Sequence, residues 1–357
     1  MQHQLYDITR SYDDNYNEGP FFDGPWPERV LLPKKTDFLG FKVNSPVGVP
    51  AGPLLNSNWI ETYAKLGFDI VTYKNVRSVQ RACHPLPNCV FVENKKQIRL
   101  DDGITELHPD KDPGDPHDFS ITNSFGVPSQ DPKVWMADIE RANNIVGPDQ
   151  VVITGVMPTP GLEGRDMIED CAYTAAMVKE AGAKIIELNF SCPNVRTGEG
   201  SIYADGETSS LLARKTREVI GSTPLVIKIG YLPYEQLKKI VLANVPYVDA
   251  IAGINTIPKA IKTLEGQQVL PGDGRLVSGV CGKIIRDVSQ EFAEMMVRIR
   301  KEEGLDFTFI GVGGIMDAED ALKRLDAGAD VVMSATAAMW NPYLAVEIQT
   351  KLKNLRT

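Results

Sequence analysis

Runs of apolar, largely β-branched residues recur along the chain, and they are nearly continuous rather than alternating. VGVPA (47–51), DIVTYK (69–74), VVITGV (151–156), KIIELN (184–189), LVIKIG (225–230), DAIAGIN (249–255), FTFIGVGG (307–314) and DVVMSA (330–335) each end at Gly, Asn, Lys or a turn. Continuous apolar runs mark parallel strands covered on both faces, whereas a half-exposed sheet alternates. Helix-like patterns follow most of these runs, at 58–66, 132–146, 165–181, 208–220, 233–243, 284–303, 317–327 and 341–354. Eight strand-then-helix units predict an α/β fold, a (β/α)8 TIM barrel. A doubly wound open sheet is the structural alternative. A GxGG at strand seven, with no GxGxxG after strand one, argues against a dinucleotide-binding Rossmann domain.

Three stretches break the pattern. Residues 1–45 are proline-rich over 20–33 and show little periodicity. They read as an arm that wraps the barrel base or a dimer partner, ahead of a barrel domain at 46–357. Residues 75–130, rich in Pro, Asp and Asn, read as a long irregular segment with a helix after it, and 257–282 as a loop.

Composition narrows the class of protein. The chain has 357 residues, 43% hydrophobic and 24% charged, and a formal net charge of −9. That length suits one barrel with extensions, and an acidic chain without a Lys/Arg cluster is a poor match for nucleic acid or an anionic membrane. The five cysteines are scattered, with no CxxC pair, so neither zinc nor an iron–sulfur cluster is suggested. The start, MQHQLYDITR, lacks the basic and apolar regions of a signal peptide. No apolar run approaches the ~20 residues of a spanning helix. The expectation is a soluble cytoplasmic protein.

In such a barrel the site lies at the carboxyl ends of the strands. Those ends carry Ala51 and Gly52, then Lys74 and Asn75, then Asn189 followed by Ser191, Cys192 and Asn194. Lys228, Asn255 and Thr256, then Gly313 and Gly314, then Ala335 and Thr336 complete the set. Singly each has a bland reading: a lysine at a barrel mouth snorkels, an Asn at a strand end makes a turn. Together they share a character. Amides read the edge of a planar heterocycle, and buried lysines need an anionic or polar partner. Glycines at strands seven and eight leave backbone N–H groups room for a phosphate. A phosphorylated cofactor and a small, polar, anionic substrate are implied. None of the four histidines falls at a strand end, so Cys192 is the evident general base or nucleophile there. Its bland reading is a small buried hydrophobe.

ELNFSCPNV at 187–195 resembles the signature of the dihydroorotate dehydrogenases, flavin mononucleotide (FMN) enzymes of pyrimidine synthesis built on this barrel. TNSFGVPS (122–129) is similar to the family's substrate loop, VTYKN and VIKIG to its lysine strands, and GINT to its strand-six Asn-Ser/Thr pair. SGVCG (278–282), IGVGGI and SAT resemble its glycine-rich phosphate ends. The resemblance runs in order over roughly 45–350. It implies that Cys192 takes the C5 proton of dihydroorotate while hydride passes from C6 to flavin N5; cysteine here is the soluble, class 1 pattern. It implies that Asn123, Asn189, Asn194, Asn255 and Thr256 bind the pyrimidine ring and carboxylate, aided by the backbone of Phe125, Gly126 and Val127. Lys74 would lie between flavin and substrate, with Ala51, Gly52 and Asn75 on the cofactor side. Lys228 would face flavin N1/O2, and Gly279, Gly313, Gly314, Ala335 and Thr336 would hold the phosphate. A homodimer is implied, with fumarate or a separate electron-transfer subunit as oxidant. Two rivals stand beside this. One is an FMN enzyme acting on another dihydropyrimidine or cyclic amide, the other a barrel that binds a phosphorylated metabolite without redox chemistry.

Overall fold

The computed structural model of the protein describes residues 4–100, 102–190 and 202–355. Its centre is a closed, all-parallel barrel of eight strands. In chain order they are Val47–Val49, Ile70–Val76, Val151–Val156, Ile185–Asn189, Leu225–Lys228, Ala250–Gly253, Thr308–Val312 and Val331–Met333. Each pairs with its neighbour in sequence, and the last returns to the first. All eight apolar runs are therefore strands, and the helices between them fall within a few residues of their expected bounds. Local chemistry sets those bounds. Asp166 and Glu169 form a capping box at the start of Met167–Glu180, and Gly221 at φ 62° ends Gly206–Ile220.

The barrel interior is filled by side chains such as Ile153, Ile185, Val226, Ile310 and Met333. Phe38 and Val43 join that cluster. They come from an antiparallel hairpin, Thr36–Phe38 with Phe41–Val43, which closes the amino-terminal end of the barrel. This part of the arm lies at the base, as expected. Buried Asp69 ties it down: Asn44 Nδ2 donates to that carboxylate at 3.0 Å and Arg29 pairs with it at 2.9 Å.

The rest of the arm departs from the expectation. Residues 4–19 lie at the opposite, carboxyl-terminal mouth. Leu5 N donates to Met339 O at 3.0 Å, and Trp59 Nε1 donates to Asn15 O at 3.2 Å. A short helix, Tyr12–Glu18, capped by Ser11 with Asp14, stiffens this segment.

The two segments read as irregular are also corrected. They build a five-stranded sheet over the mouth, in the order Cys89–Phe91, Ser120–Asn123, Val277–Gly282, Ile257–Ile261 and Glu106–Leu107. Its strands are two to six residues long, too short for a period to stand out among Pro and Asp. Ser120–Asn123 pairs with Val277–Gly282, far away in sequence, and only the barrel brings them together.

Candidate active site

Between the strand ends and this sheet lies a cavity with about 910 Å³ of empty space, its open mouth included. From the strand ends it is bordered by Ala51, Gly52, Lys74, Lys228, Asn255, Thr256, Gly313, Gly314, Ala335 and Thr336. The covering sheet and the loop after it contribute Asn123 and Phe125 from the other side. The barrel thus brings together most residues singled out in the sequence. Ser191, Cys192 and Asn194 lie outside the described residues.

One wall is backbone. Gly313 and Gly314 take φ of 101° and 65°, the left-handed region that favours glycine. A Cβ on Gly314 would fall 2.3 Å from Arg286 Cα. The charged wall is Lys228, 4% exposed at the end of the fifth strand and in register with Asn189 of the fourth. Lys74 Nζ donates to Gly52 O at 3.0 Å and stands 5.6 Å and 5.3 Å from the ring centres of Tyr12 and Phe125. The Thr256 hydroxyl oxygen is buried without a hydrogen-bond partner among the described residues.

Five expected residues do not border the cavity. Asn189 is buried beside Lys228 in the barrel. Asn75 points inward over Gly155, where a Cβ would come within 2.2 Å of its Oδ1. Gly126 and Val127 hold the loop's shape behind Phe125, at φ 76° and 52°. Gly279 sits within the covering sheet opposite Asn123, while Gly282 of the same SGVCG run reaches the cavity. Gly282 has φ 95°, and a Cβ there would meet Phe119 O at 2.3 Å. The two glycines of SGVCG are three apart, so spacing alone did not choose between them.

The 123–128 loop is held by two buried arginines. Arg77 Nε donates to Val127 O at 3.1 Å. Arg275 donates to Ser124 O at 2.8 Å and to Pro85 O and Pro87 O at 2.9 Å. Neither was legible as a site residue: the second strand was expected to end at Lys74 but runs to Val76, directly before Arg77, and Arg275 lies in a segment read as a loop. Tyr6, Cys89 and Cys281 also border the cavity unannounced. Thr336 Oγ1 donates to Cys281 Sγ at 3.4 Å. Burial pushes the Cys89 and Cys281 thiols above their ordinary range, so both stay protonated and make poor bases.

The family model for dihydroorotate dehydrogenase matches residues 114–355. A dihydroorotate dehydrogenase of Dictyostelium discoideum is 38% identical over 365 aligned positions, which span 98% of each chain. The chain belongs to the dihydroorotate dehydrogenase family. As a member it is an oxidoreductase acting on a CH–CH donor. The catalytic subunit of the NAD(+)-type dihydroorotate dehydrogenase B of Staphylococcus carnosus is 29% identical over 188 residues, 52% of this chain and 59% of its own. Subunit PreA of the NAD-dependent dihydropyrimidine dehydrogenase of Escherichia coli is 31% identical over 207 residues, 56% of this chain and 47% of its own. In three dimensions the dihydroorotate dehydrogenase of Eimeria tenella, solved with ferulenol, superposes with a TM-score of 0.72 at 18% identity, covering 93% of this chain and 87% of that one. It shares the fold. No helix among the described residues is long and apolar enough to cross a membrane.

Proposed function

We propose that this dihydroorotate dehydrogenase family member oxidises dihydroorotate to orotate with bound FMN, in cytoplasmic pyrimidine synthesis. One observation carries the reading. A single cavity joins a glycine-backbone cradle and a buried lysine on one side to an amide-bearing loop on the other. The donor set fits the cofactor. Gly282, Gly313, Gly314 and Thr336 would hold the phosphate, as expected apart from the change of glycine. Ala335 stands beside them. Lys228 would meet the electron-rich edge of the isoalloxazine, where a cation stabilises negative charge, and Ala51 and Gly52 would border the ring system. When bound, FMN supplies the two-electron acceptor for the hydride lost by the substrate.

The chain's own residues do the rest. Asn123, Asn255 and Thr256, which border the cavity, would offer donors and acceptors to the ring together with Asn194 of the SCPN segment, and the Phe125 backbone would take the carboxylate; Asn189 beside Lys228, and Gly126 and Val127 behind Phe125, back this set. Lys74, propped on Gly52 O, adds the positive charge that an anionic substrate requires. Cys192 removes the proton from C5, the role its place in SCPN implies. The oxidant is fumarate or a separate electron-transfer subunit, and the chain works as a homodimer.

The test is anaerobic mixing of the purified yellow protein with dihydroorotate, followed by flavin absorbance. Bleaching is expected. Cys192→Ser is expected to keep its flavin and bleach about 10²–10⁴ times more slowly, the usual cost of a lost base. A colourless protein that takes up no FMN sinks the flavin reading, and unaltered rates in the variant sink the assignment of Cys192. Bleaching by a dihydropyrimidine but not by dihydroorotate would move the substrate to another cyclic amide.

A further inference from the structure

The amino-terminal arm brings one aromatic side chain with a polar end to the cavity, Tyr6, which the barrel does not account for. Tyr6 is 3% exposed, and it borders the same space as Lys74, Asn123 and Phe125. Its ring packs against Trp59, centroids 5.6 Å apart, and edge-on to Phe125 at 6.2 Å. Its hydroxyl oxygen is buried and has no hydrogen-bond partner among the described residues. A buried tyrosine hydroxyl normally finds one. The backbone around it is pinned. Leu5 N donates to Met339 O and Phe21 N to Leu5 O, both at 3.0 Å, and Asp7 N donates to Asn15 Oδ1 at 3.0 Å. Met339 is itself a wall of the cavity, so the arm is anchored on the site it enters.

We propose that Tyr6 is a substrate-binding residue whose hydroxyl donates a hydrogen bond to an oxygen of the bound planar anion, making the arm one wall of the substrate side. Several features support this. Phe125 belongs to the substrate loop, and Tyr6, like Tyr12 of the same arm, meets its ring edge-on; of the two, Tyr6 borders the cavity. Burial, with Cys89 and Tyr12 nearby, raises the Tyr6 pKa well above that of an ordinary phenol. The group therefore remains a neutral donor, suited to a carbonyl or carboxylate acceptor. The ring is held by packing against Trp59 and Phe125, so the side chain is fixed at the cavity wall before the ligand arrives and little ordering remains to be done on binding.

The assignment rests on the dihydroorotate reading, and the test separates the two. Flavin-loaded wild type and Tyr6→Phe are titrated with orotate, following the perturbation of flavin absorbance, and flavin per chain and melting temperature are measured alongside. Tyr6→Phe removes one oxygen and keeps the ring. The expected result is an orotate Kd raised about 10-fold or more, as for loss of one hydrogen bond to a charged ligand, with flavin content and melting unchanged. Equal orotate affinity in the two proteins overturns the role of Tyr6 and leaves the dihydroorotate reading standing. A wild type that binds FMN but not orotate overturns that reading and this assignment with it. A variant that loses flavin or melts lower, with an orotate Kd per loaded site unchanged, shows that Tyr6 only packs, and also overturns the assignment.

Discussion

Gly314 is the residue where the cofactor cradle is least tolerant. Its φ of 65° and the 2.3 Å approach of a built Cβ to Arg286 Cα leave no room for a side chain. Gly314→Ala should cost about 1–3 kcal/mol of backbone strain and weaken FMN binding at least about 10-fold, equivalent to ~1.4 kcal/mol. Gly161→Ala is the control. It has φ 72° with nothing within 4 Å of its Cβ, so it shares the strain and lacks the collision. Titrating the flavin-free proteins with FMN checks this, and equal losses in the two variants would refute the cradle. The residue scale also shows how far sequence carried. Lys228, Asn255 and Gly313 were legible because a strand end in a barrel always faces the mouth. Tyr6, Cys281 and Gly282 were not, because what brings each to the cavity is a contact with a distant segment.

Among the elements, the 123–128 loop depends on Arg275, which is 3% exposed and bridges it to Pro85 O and Pro87 O. Arg275→Met keeps the bulk and removes the donors. Buried carbonyls left unpaired should cost about 2–3 kcal/mol. The loop's drift should weaken orotate binding about 10–100-fold while flavin content holds, since Arg275's hydrogen bonds among the described residues go to Ser124, Pro85, Pro87 and Pro271 and not to the cradle. Urea unfolding and orotate titration measure the two effects. Wild-type orotate affinity in that variant would show that the loop holds its shape without the clamp. The covering sheet, whose flanking loops carry Arg275's partners, was read as irregular chain and loop. A barrel strand declares itself through an apolar run shielded on both faces. A strand of two to six residues among prolines has no such run, and its register is set by the partner it meets.

At the scale of the whole molecule, the barrel encloses a carboxylate. Glu187 is 1% exposed on the strand beside Lys228's. Burial raises its pKa to about 7, and the charge of Lys228 only partly opposes this. In the unfolded chain a glutamate titrates near ~4.3. Between that value and about 7 the folded protein holds a proton that the unfolded chain has lost. Stability therefore falls as pH rises through this window and levels off above it. The change is on the order of 3 kcal/mol. Glu187→Gln should remove it, so the stability difference between wild type and variant should shrink or reverse from pH 5 to 8 in urea unfolding. A difference that is flat with pH would show that Glu187 is ionised throughout. On this same scale the two sources of information divide. The order and direction of eight parallel strands, the end of the barrel that bears chemistry, and the lysines and amides there were determined by the sequence alone. They follow from burial on both faces and from a topology that repeats locally. The covering sheet, the two arginine clamps, and the placing of Gly282 rather than Gly279, and of Tyr6, at the cavity wall were decided only by the tertiary structure. Each depends on segments far apart in the chain meeting over a mouth that exists only once the barrel has closed.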